Sequence, residues 1–161
     1  MIYDGNREIL LKAQNSQANT MLIFKKIADT SKNILNRTTP SIDNCFKKAV
    51  HLLQQSIKNR AIVFIISDFY NFNEEIQKLL AQLGQKADLS CIDVFDCLEK
   101  FPPSAGEYMV QQNNERLVFS SQSQDFCQTY IKYFNQKHEK IENFCRQFKI
   151  HYIPHCENTC A

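Results

Sequence analysis

The chain has 161 residues, 43% of them hydrophobic and 22% charged, with a formal net charge of +2. This is enough chain for one domain with a core of its own, and the near-neutral balance argues against a dedicated nucleic-acid binder, which carries a larger or clustered basic excess. No apolar run is long enough to span a bilayer, and the opening MIYDGNREIL lacks the pattern of a secretory signal, so a soluble cytoplasmic protein is expected.

Ile2-Tyr3 reads as the stub of a strand and Arg7 to Ala13 as a second short strand, with Asp4-Gly5 as a tight turn between them. Ala18 to Ser31 carries Met21, Leu22, Ile27 and Ala28 at helical spacing. After the loop Asn36 to Ser41, Ser41 is placed to cap a helix with Asp43 in its first turn. Ile42, Cys45, Phe46, Ala49, Val50, Leu52 and Leu53 give that helix an apolar stripe, up to about Lys58.

Ala61 to Ile66 (AIVFII) is a continuous β-branched apolar run. Such a run predicts a strand covered on both faces, inside a parallel sheet packed between helices. It ends in Ser67-Asp68-Phe69. Asn73 then caps a helix with Glu74 and Glu75 in its first turn, a buried face of Ile76, Leu79, Leu80 and Leu83, and Gly84 as the expected C-cap. Leu89 to Phe95 is the next strand, closing a β–α–β unit.

Phe101 to Ser123 is irregular, with Pro102-Pro103 and Gly106. Within it, Tyr108 to Val110 and Arg116 to Phe119 flank Asn113-Asn114, which predicts a small hairpin. Gln124 to Phe148 is a long amphipathic helix, and its aromatic stripe is core rather than a cofactor box. Ile150 to Pro154 is a last short strand, before a frayed tail.

The alternation predicts a doubly wound α/β fold with a mostly parallel sheet and helices on both faces, as a single domain over residues 1–161. The seven cysteines (Cys45, Cys91, Cys97, Cys127, Cys145, Cys156 and Cys160) are odd in number and scattered. They read as reduced thiols rather than a disulfide framework. His151, His155, Cys156 and Cys160 are soft-metal ligand types, but their spacing matches no zinc module. His51 and His138 fall in helical patterns and read as partly exposed structural residues.

The order of these features resembles family fifty-eight of the bacterial domains of unknown function, a von Willebrand factor A-like (vWA-like) group. Tyr3-Asp4-Gly5, the run Ile65-Ile66-Ser67-Asp68-Phe69, Asp96 with Glu99 and Pro102-Pro103, and Tyr130 on the long helix all stand where that family has its motifs. The resemblance implies a vWA-like, Rossmann-like fold whose opening strand and helix, with their Asp-x-Ser-x-Ser loop, would precede Met1. The chain is then truncated at its N-terminus relative to the family. The resemblance also implies a partial Mg²⁺ site, with Asp68 as the third-loop aspartate and Thr39 or Ser41 as the second-loop hydroxyl. Without the first loop, Mg²⁺ is expected to belong to a full-length form.

The resemblance further implies a non-enzymatic binding or assembly module that works with a MoxR-type AAA+ ATPase. Two alternatives stand beside it. One is a small metal-dependent hydrolase, a phosphatase or nuclease using Asp68. The other is an inactive gene fragment. Against the enzyme, the chain has no Gly-x-Gly-x-x-Gly, no P-loop and no nucleophile elbow, and only three glycines.

Overall fold

The computed structural model describes residues 1–3, 8–11, 14–35, 45–57, 60–112 and 115–157. In chain order they form β1 (Ile2–Tyr3), β2 (Glu8–Ile9), α1 (Gln17–Leu35), α2 (Cys45–Ser56), β3 (Ala61–Ser67) and α3 (Glu74–Lys86). Then follow β4 (Ala87–Asp96), α4 (Cys97–Lys100), β5 (Glu107–Gln112), β6 (Glu115–Ser120), α5 (Gln124–Gln147) and β7 (His151–Glu157). The fold is α/β, with helices and a parallel sheet. The chain divides into two compact units, Met1–Ala61 with Asn73–Ala87, and Ile62–Phe72 with Asp88–Ala161.

In the first unit β1 and β2 pair antiparallel, Ile2 opposite Ile9, so the expected hairpin forms, with its Asp4-Gly5 turn outside the described residues. Helix α1 forms where the periodicity places it, but Met21, Leu22 and Ile27 on its apolar stripe are exposed while Thr30 is buried. Helix α2 buries Ala49 and Val50. The expected cap, Ser41, lies outside the described residues. Helices α2 and α3 meet through Gln54, whose Nε2 donates to the Leu79 carbonyl at 2.8 Å, and through a Lys47–Glu75 ion pair.

Asn73 caps α3, its Oδ1 accepting from the Ile76 N–H at 3.0 Å, and Glu74 and Glu75 sit in the first turn, where negative charge suits the helix dipole. Ile76, Leu80 and Leu83 form its buried face. Gly84 does not end this helix. The chain continues helically to Lys86, and Ala87 is the C-cap, its N–H bonding the Leu83 carbonyl. The last turn keeps its backbone bond, which outweighs the cost of about 1 kcal/mol for one helical glycine.

The second unit holds a three-stranded sheet in the order β3-β4-β7. Strands β4 and β7 are parallel, in a register that sets Asp93 opposite Pro154, Phe95 opposite Cys156 and Asp96 opposite Glu157. Pro154 has no N–H for a ladder, and β7, at the end of the strand order, is where a sheet tolerates it. The last strand is longer than its sequence pattern, reaching Glu157 instead of stopping at Pro154.

The more deeply buried strand is β4, not β3, with one face buried and the other buried or half-buried from Ser90 to Asp96. Residues Leu89, Ser90, Cys91, Asp93 and Phe95 of β4 are all buried. By contrast β3 lies at the edge of the sheet among the described residues. Its Val63 and Ile65 are buried, while Ile62, Phe64 and Ile66 on the other face are 61–70% exposed. The expectation that AIVFII is covered on both sides therefore fails. Unbroken hydrophobicity reports affinity for burial, whereas sheet order decides which strand has a neighbour on each side.

Hairpin β5–β6 forms in the predicted place, with Gln112 opposite Glu115. Phe119 stacks between Tyr108 and Phe126, with ring centroids 5.7 and 5.0 Å apart. Helix α5 begins at the Ser123 cap and buries Phe134, Ile141, Phe144 and Cys145, so its aromatic stripe is core, as its 3.6-residue period predicts.

Candidate functional site

In open α/β sheets, ligands bind beyond the carboxyl ends of the parallel strands. In the second unit that end brings together the turn after β3, helix α4 after β4, and the end of β7.

Strand β3 leaves the sheet through Ser67-Asp68-Phe69. The Asp68 carboxylate accepts from the Tyr70 N–H at 3.2 Å and from the Ser67 hydroxyl at 3.4 Å. The Ser67 hydroxyl oxygen in turn accepts from the Phe69 N–H. Phe69 has φ 44°, a left-handed conformation that is uncommon for a bulky residue. Its ring is buried and meets Phe72 edge to face at 6.2 Å. Burial of that ring and the two side-chain-to-backbone bonds hold the turn in place.

Strand β4 ends in a capping box. Asp96 Oδ1 accepts from the Leu98 N–H at 2.7 Å, and Glu99 Oε1 accepts from the Asp96 N–H at 3.1 Å. This gives a physical reason for the Asp96–Glu99 spacing, since each carboxylate satisfies a donor that the helix start leaves open. Tyr130 of α5 donates its hydroxyl to the Leu98 carbonyl, and Lys137 lies 3.9 Å from Glu99. Burial, then the charges of Glu99 and Asp96, push the Tyr130 phenol above its ordinary range, so it stays a hydrogen-bond donor at neutral pH. Beside these groups lies an apolar groove of about 430 Å³, lined by Tyr70, Phe126, Tyr130, Tyr133, Phe134 and Lys137 among others.

A second polar cluster lies deeper. Asp93, with a fully buried side chain, accepts from the Tyr152 hydroxyl at 2.7 Å and stands 2.6 Å from His138 Nδ1. His138 packs against Phe134 and Phe95, with centroids 3.9 and 4.9 Å away. Burial holds the imidazole below its ordinary pKa, against the pull of Asp93, so at neutral pH it is uncharged and its Nδ1–H donates to the carboxylate. Burial and Asp93 push the Tyr152 phenol up. An Asp–His pair can serve as a general base only if the far nitrogen reaches substrate. Here His138 Nε2 is buried, so the cluster ties β4, β7 and α5 together.

Of the residues singled out from sequence, Asp68 stands at the strand-end rim, while Thr39 and Ser41 lie outside the described residues. Among the described residues no group of three or more His, Cys, Asp or Glu side chains is arranged to hold a metal. A divalent cation at Asp68 would need several further oxygen ligands. Sequence reading missed the Asp93 cluster, though signals existed: an aspartate inside the apolar stretch LSCIDVF, and a histidine four residues after Phe134 on a buried stripe. Among the described residues no helix is long and apolar enough to cross a membrane.

The family described as protein of unknown function DUF58 matches residues 1–140. No curated protein matches, and no solved structure matches.

Proposed function

The chain belongs to the DUF58 family, and from that premise we propose that it is a vWA-like, non-enzymatic protein-binding module that works with a MoxR-type AAA+ ATPase in assembly or maturation. The observation that carries this reading is the outer face of β3. Ile62, Phe64 and Ile66 project, at 61–70% exposure, from the strand that lies at the edge of the sheet among the described residues. A contiguous apolar face of this kind marks an interaction surface, and an edge strand is open to strand addition by another polypeptide.

The test is a Phe64→Lys, Ile66→Lys double variant, with binding to a purified MoxR-type ATPase measured by titration. Because both positions are exposed, unfolding free energy is expected to stay within about 0.5 kcal/mol per site. Binding is expected to fall more than about tenfold, since hot-spot residues are worth at least 2 kcal/mol each. Self-association of the unmodified chain at high concentration, seen by sedimentation, is expected to disappear in the same variant. Full retention of ATPase binding by a folded double variant would reject β3 as the surface.

The Mg²⁺ reading of Asp68 with Thr39 or Ser41 makes a separate expectation. Titrating this chain with Mg²⁺ to millimolar concentration should give no saturable rise in melting temperature, because Asp68 is already engaged in its own turn and hard cations need several oxygen ligands. A saturable rise that Asp68→Ala removes would assign Asp68 as a ligand and favour the metal-dependent alternative.

A further inference from the structure

Two cysteines meet at the strand-end rim. Cys97 opens α4, directly after β4, and Cys156 lies on β7 opposite Phe95. Their sulfurs are 3.1 Å apart, though the residues are 59 positions apart in sequence. Both are partly accessible. The parallel register produces this meeting, because it places the end of β4 and the end of β7 side by side. A disulfide needs sulfurs about 2.05 Å apart, so a shift of roughly an ångström separates the two thiols from a bond.

A second sulfur pair provides an internal contrast. Cys91 of β4 and Cys145 of α5 are each 1% exposed. The hydrogen bond between them, burial and nearby Asp93 all push the Cys91 thiol up. The same hydrogen bond pulls the Cys145 thiol down, so the contrast is one of access: oxidants must reach the thiolate, and burial shields this pair while the rim pair is open to them.

We propose that Cys97 and Cys156 are a redox modification site, forming a reversible disulfide when a peroxide reaches the rim. One thiolate attacks an oxygen of hydrogen peroxide. The O–O bond breaks, an S–O bond forms, and the released hydroxide takes up a proton to leave as water. The neighbouring thiol then attacks that sulfenic sulfur, giving up its proton. The S–S bond forms, the S–O bond breaks, and a second water leaves. Two electrons pass from the two sulfurs to one peroxide. A small dithiol reverses the step by thiol–disulfide exchange. Closing the bond staples α4 to β7. Since α4 also receives the Tyr130 hydroxyl and carries Glu99 on the groove, oxidation fixes one wall of that groove.

The test uses the full chain, fully reduced and then exposed to hydrogen peroxide. The protein is denatured, alkylated and mapped by mass spectrometry without reductant. The expected result is two fewer alkylated thiols than the seven of the reduced chain, a peptide pair joining Cys97 to Cys156, and full recovery of labelling after dithiothreitol. The oxidised chain should also melt at a higher temperature, because the bond closes a long loop in the unfolded state. Cys97→Ser and Cys156→Ser should each abolish both the link and the rise. The wild-type peptide map decides the matter even if a variant folds poorly. An unchanged label count, a link only between copies, or a link mapped to Cys91 and Cys145 would overturn the proposal.

Discussion

Replacing Leu80 by alanine should destabilise the chain by about 2–5 kcal/mol, the range for deleting a fully buried leucine. Leu80 is 0% exposed on the inner face of α3, as is Leu83 one turn later. Truncation removes the transfer free energy of the lost methyl groups and leaves a cavity that rigid neighbours fill only in part. The control is Ile62→Ala. Ile62 has an equally apolar side chain, but at 70% exposure its truncation should change stability by no more than about 0.5 kcal/mol. Urea unfolding of both variants, followed by circular dichroism, measures the contrast. Equal losses from the two would mean that the buried face of α3 is misassigned.

Asp93→Ala is expected to cost a similar amount, about 2–5 kcal/mol, by a different route. The Tyr152 hydroxyl and His138 Nδ1–H, both half-buried, lose their carboxylate acceptor and keep only each other, 3.2 Å apart; each unpaired buried donor costs about 1–3 kcal/mol. The variant also loses a desolvated carboxylate, and that relief keeps the total below the upper sum. Tyr152→Phe, which removes one donor and leaves the acceptor to His138, should cost less, about 1–2 kcal/mol. If Asp93→Ala is neutral, the cluster does not join β4, β7 and α5.

The same cluster fixes the sign of a pH effect. His138 is held below its ordinary value by burial. Above about pH 6.5 neither folded nor unfolded chain protonates it. Below that, the unfolded chain takes up a proton that the folded chain refuses. Stability from this group therefore falls with falling pH, by up to about 1.4 kcal/mol per pH unit, and levels off once the folded value is passed. His138→Gln should flatten that part of the urea-midpoint profile between pH 7.5 and 5.

Much of the local structure was legible in the residues. Asn73 announced its helix because a short polar side chain before an apolar period satisfies an open backbone donor. The aromatic stripe of α5 and the hairpin around Asn113-Asn114 followed from periods of 3.6 and 2. At the candidate site, Asp68 was found as a strand-end carboxylate, because an apolar run that stops in a charged residue marks a rim. Its bonds to Tyr70 and Ser67 depend on a left-handed Phe69, which an aromatic residue does not advertise.

What the sequence determined by itself was the kind and approximate place of most elements, the short helix α4 excepted, since hydrogen bonds within helices and turns, and the period of side chains, act over a few residues. Only the tertiary structure decided that β4 rather than β3 lies centrally, that Asp93 finds His138 and Tyr152, and that Cys97 faces Cys156. These depend on strand order and on a parallel register between segments some sixty residues apart. Such pairings are chosen by competition among many possible burials, and no local pattern encodes the winner.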